Sequence, residues 1–391
     1  MGANLYDASN QWASRPADER FASLQEMHDA CANYRRSAAE ATVRFDQLRV
    51  AVSGEPGEPQ DLRLTGPTGA PAAFTNWSFG QLARRVQAPA EYLGRLPAPL
   101  AADCLNSGLA RIGTDGADSR ALFHANGSLV VRAFTSDKYS RIWNCDITGR
   151  LLDLQAHGWR VPPARPASAD QPGARPATEA DCLRMREGGG GLAINPGDMI
   201  APAGLYASAH DCFVFMVNED VRIDDGSAGG LSRGFFVSNS EVGAAAFRLL
   251  EFYYRHVCGN HIVWDVSNVR EFKLRHVGSA ADVFSGRMVA ELRRYADSSQ
   301  GDALARIAAC KRFTLGDSKE KVIDYLFNRG ILPKRTLDAA YTACEQTEPD
   351  LNPRSAWGMM QGITHVSQRE PFADKRAAID AAAAKVAQFA F

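Results

Sequence analysis

The order in which hydrophobic periodicities succeed one another constrains this chain more than any motif in it. β-Forming runs at Gly204–Ser208, Cys212–Asn218 and Leu231–Ser238 are separated by turn clusters such as Asp224, Asp225 and Gly226, which predicts an antiparallel meander. From Glu241 onward apolar residues recur at helical spacing. Helices are expected over Glu241–Val257, Ala280–Ala296, Ser318–Arg329, Lys334–Glu345, Ser355–Val366 and Asp374–Phe389, with one strand at Ile262–Val266. Strand runs followed by helix runs define an α+β fold rather than an alternating α/β sheet.

The first half is more mixed. A helix over Pro16–Ser37 leads into an alternating strand, Thr42–Val52, which the breaker cluster Gly54–Pro59 ends. Ser78 is placed to cap one helix and Pro89 to open a second, closed by Pro97. Ala121–His124 and Ser128–Phe134 flank Asn126-Gly127, the strongest short turn signal, and predict a β-hairpin. Thr135, Ser136 or Asp137 then caps a helix bearing Tyr139, Ile142, Trp143, Ile147, Leu151 and Leu154. The expected organisation is residues 1–60 as an N-terminal helix and strand extension, 61–160 as helical pair, hairpin and helix, 161–191 as a Pro/Gly-rich flexible insertion, and 192–391 as a β-meander followed by helices. The fold class is α+β, an antiparallel β-hairpin and meander packed with helices, with a mostly helical C-terminal half.

Composition excludes several classes. At 391 residues and 45% hydrophobic content the chain can bury a large core without a disulfide or metal staple. Its 44 Lys plus Arg against 45 Asp plus Glu rule out coating of nucleic acid by bulk charge, leaving local basic grooves as the way to hold a polyanion. The eight cysteines stand singly, as in a reducing compartment, and Met1–Trp12 lacks the features of a secretory signal, so a cytoplasmic location is expected. No apolar run approaches the roughly 18 residues of a membrane span.

Motifs for familiar chemistry are missing or better explained locally. No G-x-x-x-x-G-K-[ST] occurs, and Gly188–Gly191 runs into LAINPGD without a phosphate-neutralising lysine. No dinucleotide fingerprint is present. His256, Cys258 and His261 place three metal-capable groups close together but lack the usual paired spacing, so no metal and no cofactor is expected. Ser318 and Lys321 have S-x-x-K spacing, which a helix cap and a solvated face explain. No catalytic residue is assigned.

Cations interleaved with aromatic rings are the more informative pattern. Between Arg120 and Arg165 seven basic residues face only three acidic ones, with Phe123, Phe134, Tyr139, Trp143 and Trp159 among them. A second cluster runs from Arg248 through Phe252, Tyr253, Tyr254 and Arg255 to Arg270, Phe272, Lys273, Arg275 and His276. Single-strand binding needs cations that track phosphates and rings that stack bases, at about 1–3 kcal/mol per base. On this reading Arg132, Lys138, Arg141, Arg248, Arg255, Lys273 and Arg275 meet phosphates, and Tyr139, Tyr253 and Phe272 stack.

Five phrases, FGQLARRVQAPAEYLGRLP (79–97), RAFTSDKYSRI (132–142), FVSNSEVGAAAFR (236–248), YRHVCGN (254–260) and NPRSAWGMMQGITHV (352–366), together resemble the phage- and plasmid-borne family called domain of unknown function 932. The resemblance spans residue 74 to the C-terminus and implies a mobile genetic element but no particular reaction. The leading expectation is a non-enzymatic single-stranded DNA binder in replication, recombination or annealing, with a homo-oligomer as the form that annealing would use and no membrane partner. The alternatives are an enzyme in which His256, Cys258, Asn260, Glu241 and His365 converge, and an interaction or anti-host factor.

Overall fold

Two large sheets, each covered by helices, organise the chain. The computed structural model describes residues 21, 23–55, 60–66, 69–112, 118–161, 165–166, 175–179, 182, 195–201, 205–207, 211–224, 230–255, 261–264, 271–297, 300–347, 351–367 and 373–390. The first part comprises α1 (Leu24–Arg36), β1 (Ala38–Arg44), β2 (Arg49–Ser53), β3 (Asp61–Thr65), β4 (Ala72–Phe74), α2 (Asn76–Arg85), α3 (Ala90–Leu93), α4 (Ala98–Leu109), β5 (Asp118–Asn126) and β6 (Ser128–Thr135). Its six strands lie in the order β1-β5-β6-β4-β3-β2, with β4 and β6 parallel.

Gly127 at φ +72° supplies the left-handed turn between β5 and β6. β1 and β2, from the first 60 residues, are the two edges of this same sheet. Thr75 caps α2 in a reciprocal box with Ser78, so Ser78 stands three residues inside the cap. Pro97 does not close the helical pair but precedes α4, whose Leu105 and Leu109 join Leu82 of α2 over Val50, Leu64 and Val131.

The chain continues with α5 (Asn144–Leu154), β7 (Trp159–Arg160), β8 (Arg165–Pro166), β9 (Arg175–Pro176), β10 (Met199–Ala201), β11 (Leu205–Ala207), β12 (Cys212–Ile223), β13 (Leu231–Asn239), β14 (Phe247–Arg255), β15 (His261–Trp264) and β16 (Glu271–Leu274). Then follow α6 (Ala280–Ala296), α7 (Gln300–Arg312), α8 (Lys319–Asn328), α9 (Lys334–Thr347), α10 (Ala356–Ser367) and α11 (Ala373–Ala387). The second sheet runs β11-β12-β13-β14-β15, with β7 on β12 and β16 on β14, all antiparallel. β8, β10 and β9 pair in a small sheet of their own, and most of 161–191 lies outside the described residues.

Every residue of β13 is buried, because helices cover both faces of the sheet. α1, α5 and α6 pack Met27, Ile147, Phe284 and Met288 on the face bearing Val214, Phe235, Val237 and Phe247. Ala384 of α11 lies against Phe215, Phe236 and Phe252 on the other. The remaining C-terminal helices form a core around Trp357 that takes in Ile223, Leu231 and Tyr253. The molecule is therefore α+β, and no described helix is long and apolar enough to cross a membrane.

Two expected helices are corrected. Glu241–Val257 is not helical: Glu241–Ala246 is a turn with Gly243 at φ +81°, and Phe247–Arg255 is strand β14. Its apolar residues occupy both strand faces, which reproduces helical spacing by coincidence. The helix expected from Tyr139 begins only at Asn144, because Tyr139 pairs with Val277 and the Ser140 amide donates to the His276 carbonyl at 3.0 Å.

Candidate nucleic-acid interface

A buried polar junction holds the two sheets together and decides which cations reach the surface. The turn after β13 enters the face of the first sheet formed by Leu122 and Ala133, where Val242 packs. Glu241 is its centre. One carboxylate oxygen accepts from the Asn144 amide at 2.7 Å, at the electropositive start of α5, and the other lies 3.3 Å from Arg132. Both Arg132 and Glu241 side chains are 3% exposed. Asn239 donates to the Ile142 carbonyl at 3.0 Å and to Asn144 Oδ1 at 2.8 Å, and Trp77 Nε1 donates to the Val242 carbonyl at 3.0 Å.

Beside it sits a second buried cation. Arg141 Nε donates to Glu40 at 2.6 Å, and its guanidinium lies 5.2 Å from the Tyr139 ring and 5.5 Å from Trp143. Tyr139 also stacks on His276 at 5.0 Å and donates its hydroxyl to the Ser240 carbonyl at 2.9 Å. Burial raises the Tyr139 phenol above its ordinary range and drives the His276 imidazole down from 6.5 to about 4, with the Arg141 charge adding to the latter.

The depressed His276 has a measurable consequence. The unfolded chain takes up this proton near pH 6.5 and the folded chain only near 4, so the contribution is fully present above 6.5 and is lost as pH falls towards 4. Urea unfolding at pH 7 and pH 4.5 is expected to differ by about 2 kcal/mol from this group, a difference absent in His276→Phe. Equal pH dependence in the two proteins would remove His276 as its source.

The candidate contacts accordingly divide. Arg132 and Arg141 are not available as phosphate contacts, because each is buried on a carboxylate. Tyr253 is corrected too: it is 4% exposed and packs edge-on to Tyr295. Phe272 lies on the helix-covered face, edge-on to Phe247 with Arg287 over its ring, and Tyr139 has its ring and hydroxyl engaged internally. Each of the three expected rings is engaged internally, Tyr139 included although it also lines an open concavity. For Phe272 period-two alternation explains this, since it adjoins the exposed Lys273 in β16 and points the other way.

Lys138, Arg248, Lys273 and Arg275 are exposed, and the fold brings them into one run. Arg248 of β14 is directly opposite Lys273 of β16, Arg275 follows two residues on, and Val277 pairs with Tyr139 beside Lys138. Exposed Arg120 joins from β5, sharing an open concavity with Lys138, Tyr139 and Gly278. Sequence spacing marked Arg120 as basic but did not separate it from its cluster. Only the position of β5 beside the 136–140 segment does so.

Arg255 is placed in β14 opposite Leu231, its side chain outside the described set. Of the alternative cleft, His256, Cys258 and Asn260 lie outside the described residues, while Glu241 is committed to Arg132 and α5, and His365 belongs to α10. Among the described residues no group of three His, Cys, Asp or Glu is placed to hold a metal. No family model, curated protein or solved structure matches the chain.

Proposed function

We propose that the protein binds single-stranded DNA along the run Arg248, Lys273, Arg275, Lys138 and Arg120. The observation that carries this reading is the register of β14 on β16 together with the Tyr139–Val277 bridge, which aligns exposed cations from four separate segments. Arg248 and Lys273 are directly opposite each other across the ladder, which sets two exposed cations side by side. A single row of cations fits one phosphate backbone.

Capture is electrostatic, with little stacking, since the expected rings are withdrawn. Replication, recombination or annealing on a mobile element is the setting proposed with it, as is the family resemblance of the five phrases. Anisotropy titrations of a labelled oligonucleotide test it: with up to five phosphate contacts, log affinity is expected to fall against log salt with a slope of about −3. No binding at low salt, or a slope near zero, defeats the proposal.

A further inference from the structure

The concavity at one end of the cationic run has a volume of about 450 Å³ and is walled by Arg120, Lys138, Tyr139, Gly278 and one carboxylate, Asp137. That volume falls in the range of ligand sites, about 300–1,000 Å³. Directly behind the Tyr139 wall lies Arg141, 6% exposed, with both terminal guanidinium nitrogens buried and lacking a hydrogen-bond acceptor. Glu40 serves two guanidiniums at once, Arg141 at 2.6 Å and Arg120 at 3.8 Å. Two cations, Arg120 and Lys138, line this space against one lining carboxylate, Asp137, which leaves a positive surplus.

Backbone donors add to it. Gly278 at φ +61° and Ser279 at φ −88°, ψ 20° form the turn that enters α6, and successive amides of a turn can hold an anion. Neither amide has an acceptor among the described residues, whereas the neighbouring Ala281 amide is already satisfied by Ser140 Oγ at 2.9 Å. The cationic run ends at this concavity, where Glu40 lies 3.8 Å from Arg120. The surroundings suit an anion that ends there.

We infer that this concavity seats the terminal phosphate monoester of a bound strand. A monoester carries up to one more negative charge than an internal diester, and its extra oxygens meet Lys138, Arg120 and the Gly278 amide. The inference rests on the strand-binding reading and identifies which end feature of the strand this site takes.

The test compares one short oligonucleotide carrying a 5′-phosphate, a 3′-phosphate or hydroxyls at both ends, by anisotropy at fixed salt. One phosphorylated form is expected to bind about tenfold more tightly than the hydroxyl form. Arg120→Gln should weaken every strand by the loss of one phosphate contact and, beyond that shared loss, should abolish the difference between phosphorylated and hydroxyl strands. Inorganic phosphate should reduce the phosphorylated strand to the hydroxyl strand's affinity and go no further. Equal binding of all three strands overturns the inference and leaves the strand-binding reading standing. A mononucleotide binding as tightly as the phosphorylated strand overturns it in favour of a free ligand, and absence of binding by every strand defeats both.

Discussion

Glu241→Ala is expected to lower unfolding stability by about 3 kcal/mol, because it removes the carboxylate that neutralises a buried guanidinium. Arg132 and Glu241 are both 3% exposed, so the arginine cannot turn to bulk water without moving β6 or the turn after β13. The same carboxylate accepts the Asn144 amide at the start of α5, and its loss also uncaps that helix. Glu241→Gln keeps a hydrogen-bond acceptor for Asn144 but not the charge, so an intermediate loss is expected. Urea titrations followed by circular dichroism measure both. A change below about 1 kcal/mol in Glu241→Ala would falsify the view that this pair ties the sheets together.

The second large effect is on binding. The triple variant Lys138→Glu, Lys273→Glu, Arg275→Glu is expected to weaken single-strand affinity at low salt by more than about a hundredfold, since three attractive phosphate contacts become repulsive. Stability should change little. All three residues are exposed, where substitutions usually cost within about 0.5 kcal/mol. A folded triple variant that binds like the parent removes the cationic run as the site. Charge reversal of Arg132 or Arg141 is no substitute for this test, because both are buried and the variants would report on folding.

Much of the architecture was legible residue by residue. Asn126-Gly127 announced the hairpin, and the helix over Ala280–Ala296 was read to its ends, because turn chemistry and a single buried stripe are local properties. Phe247–Arg255 was misread for a reason equally physical. A strand buried on both faces loses the alternation that identifies strands, and FRLLEFYYR then imitates an amphipathic helix.

The candidate site was half legible. Composition located the cation-rich segments, since a count of charges needs no coordinates. Exposure needed them: Arg132 and Lys138 are six residues apart and equally basic, yet one is locked on Glu241 and the other lines an open concavity. Which lysine or arginine meets solvent depends on carboxylates about a hundred residues away in the chain, and those are brought near only by packing.

By itself the amino-acid sequence determined the α+β character, the hairpin and most of the helices, because these follow from side-chain periodicity and turn residues acting over a few positions. The tertiary structure alone decided that Glu241 is a buried tie between sheets, that β14 is a strand, that Arg248 lies opposite Lys273, and that Lys138 shares a concavity with Arg120. Cross-strand register and long-range burial set those outcomes, and neither is encoded in local spacing.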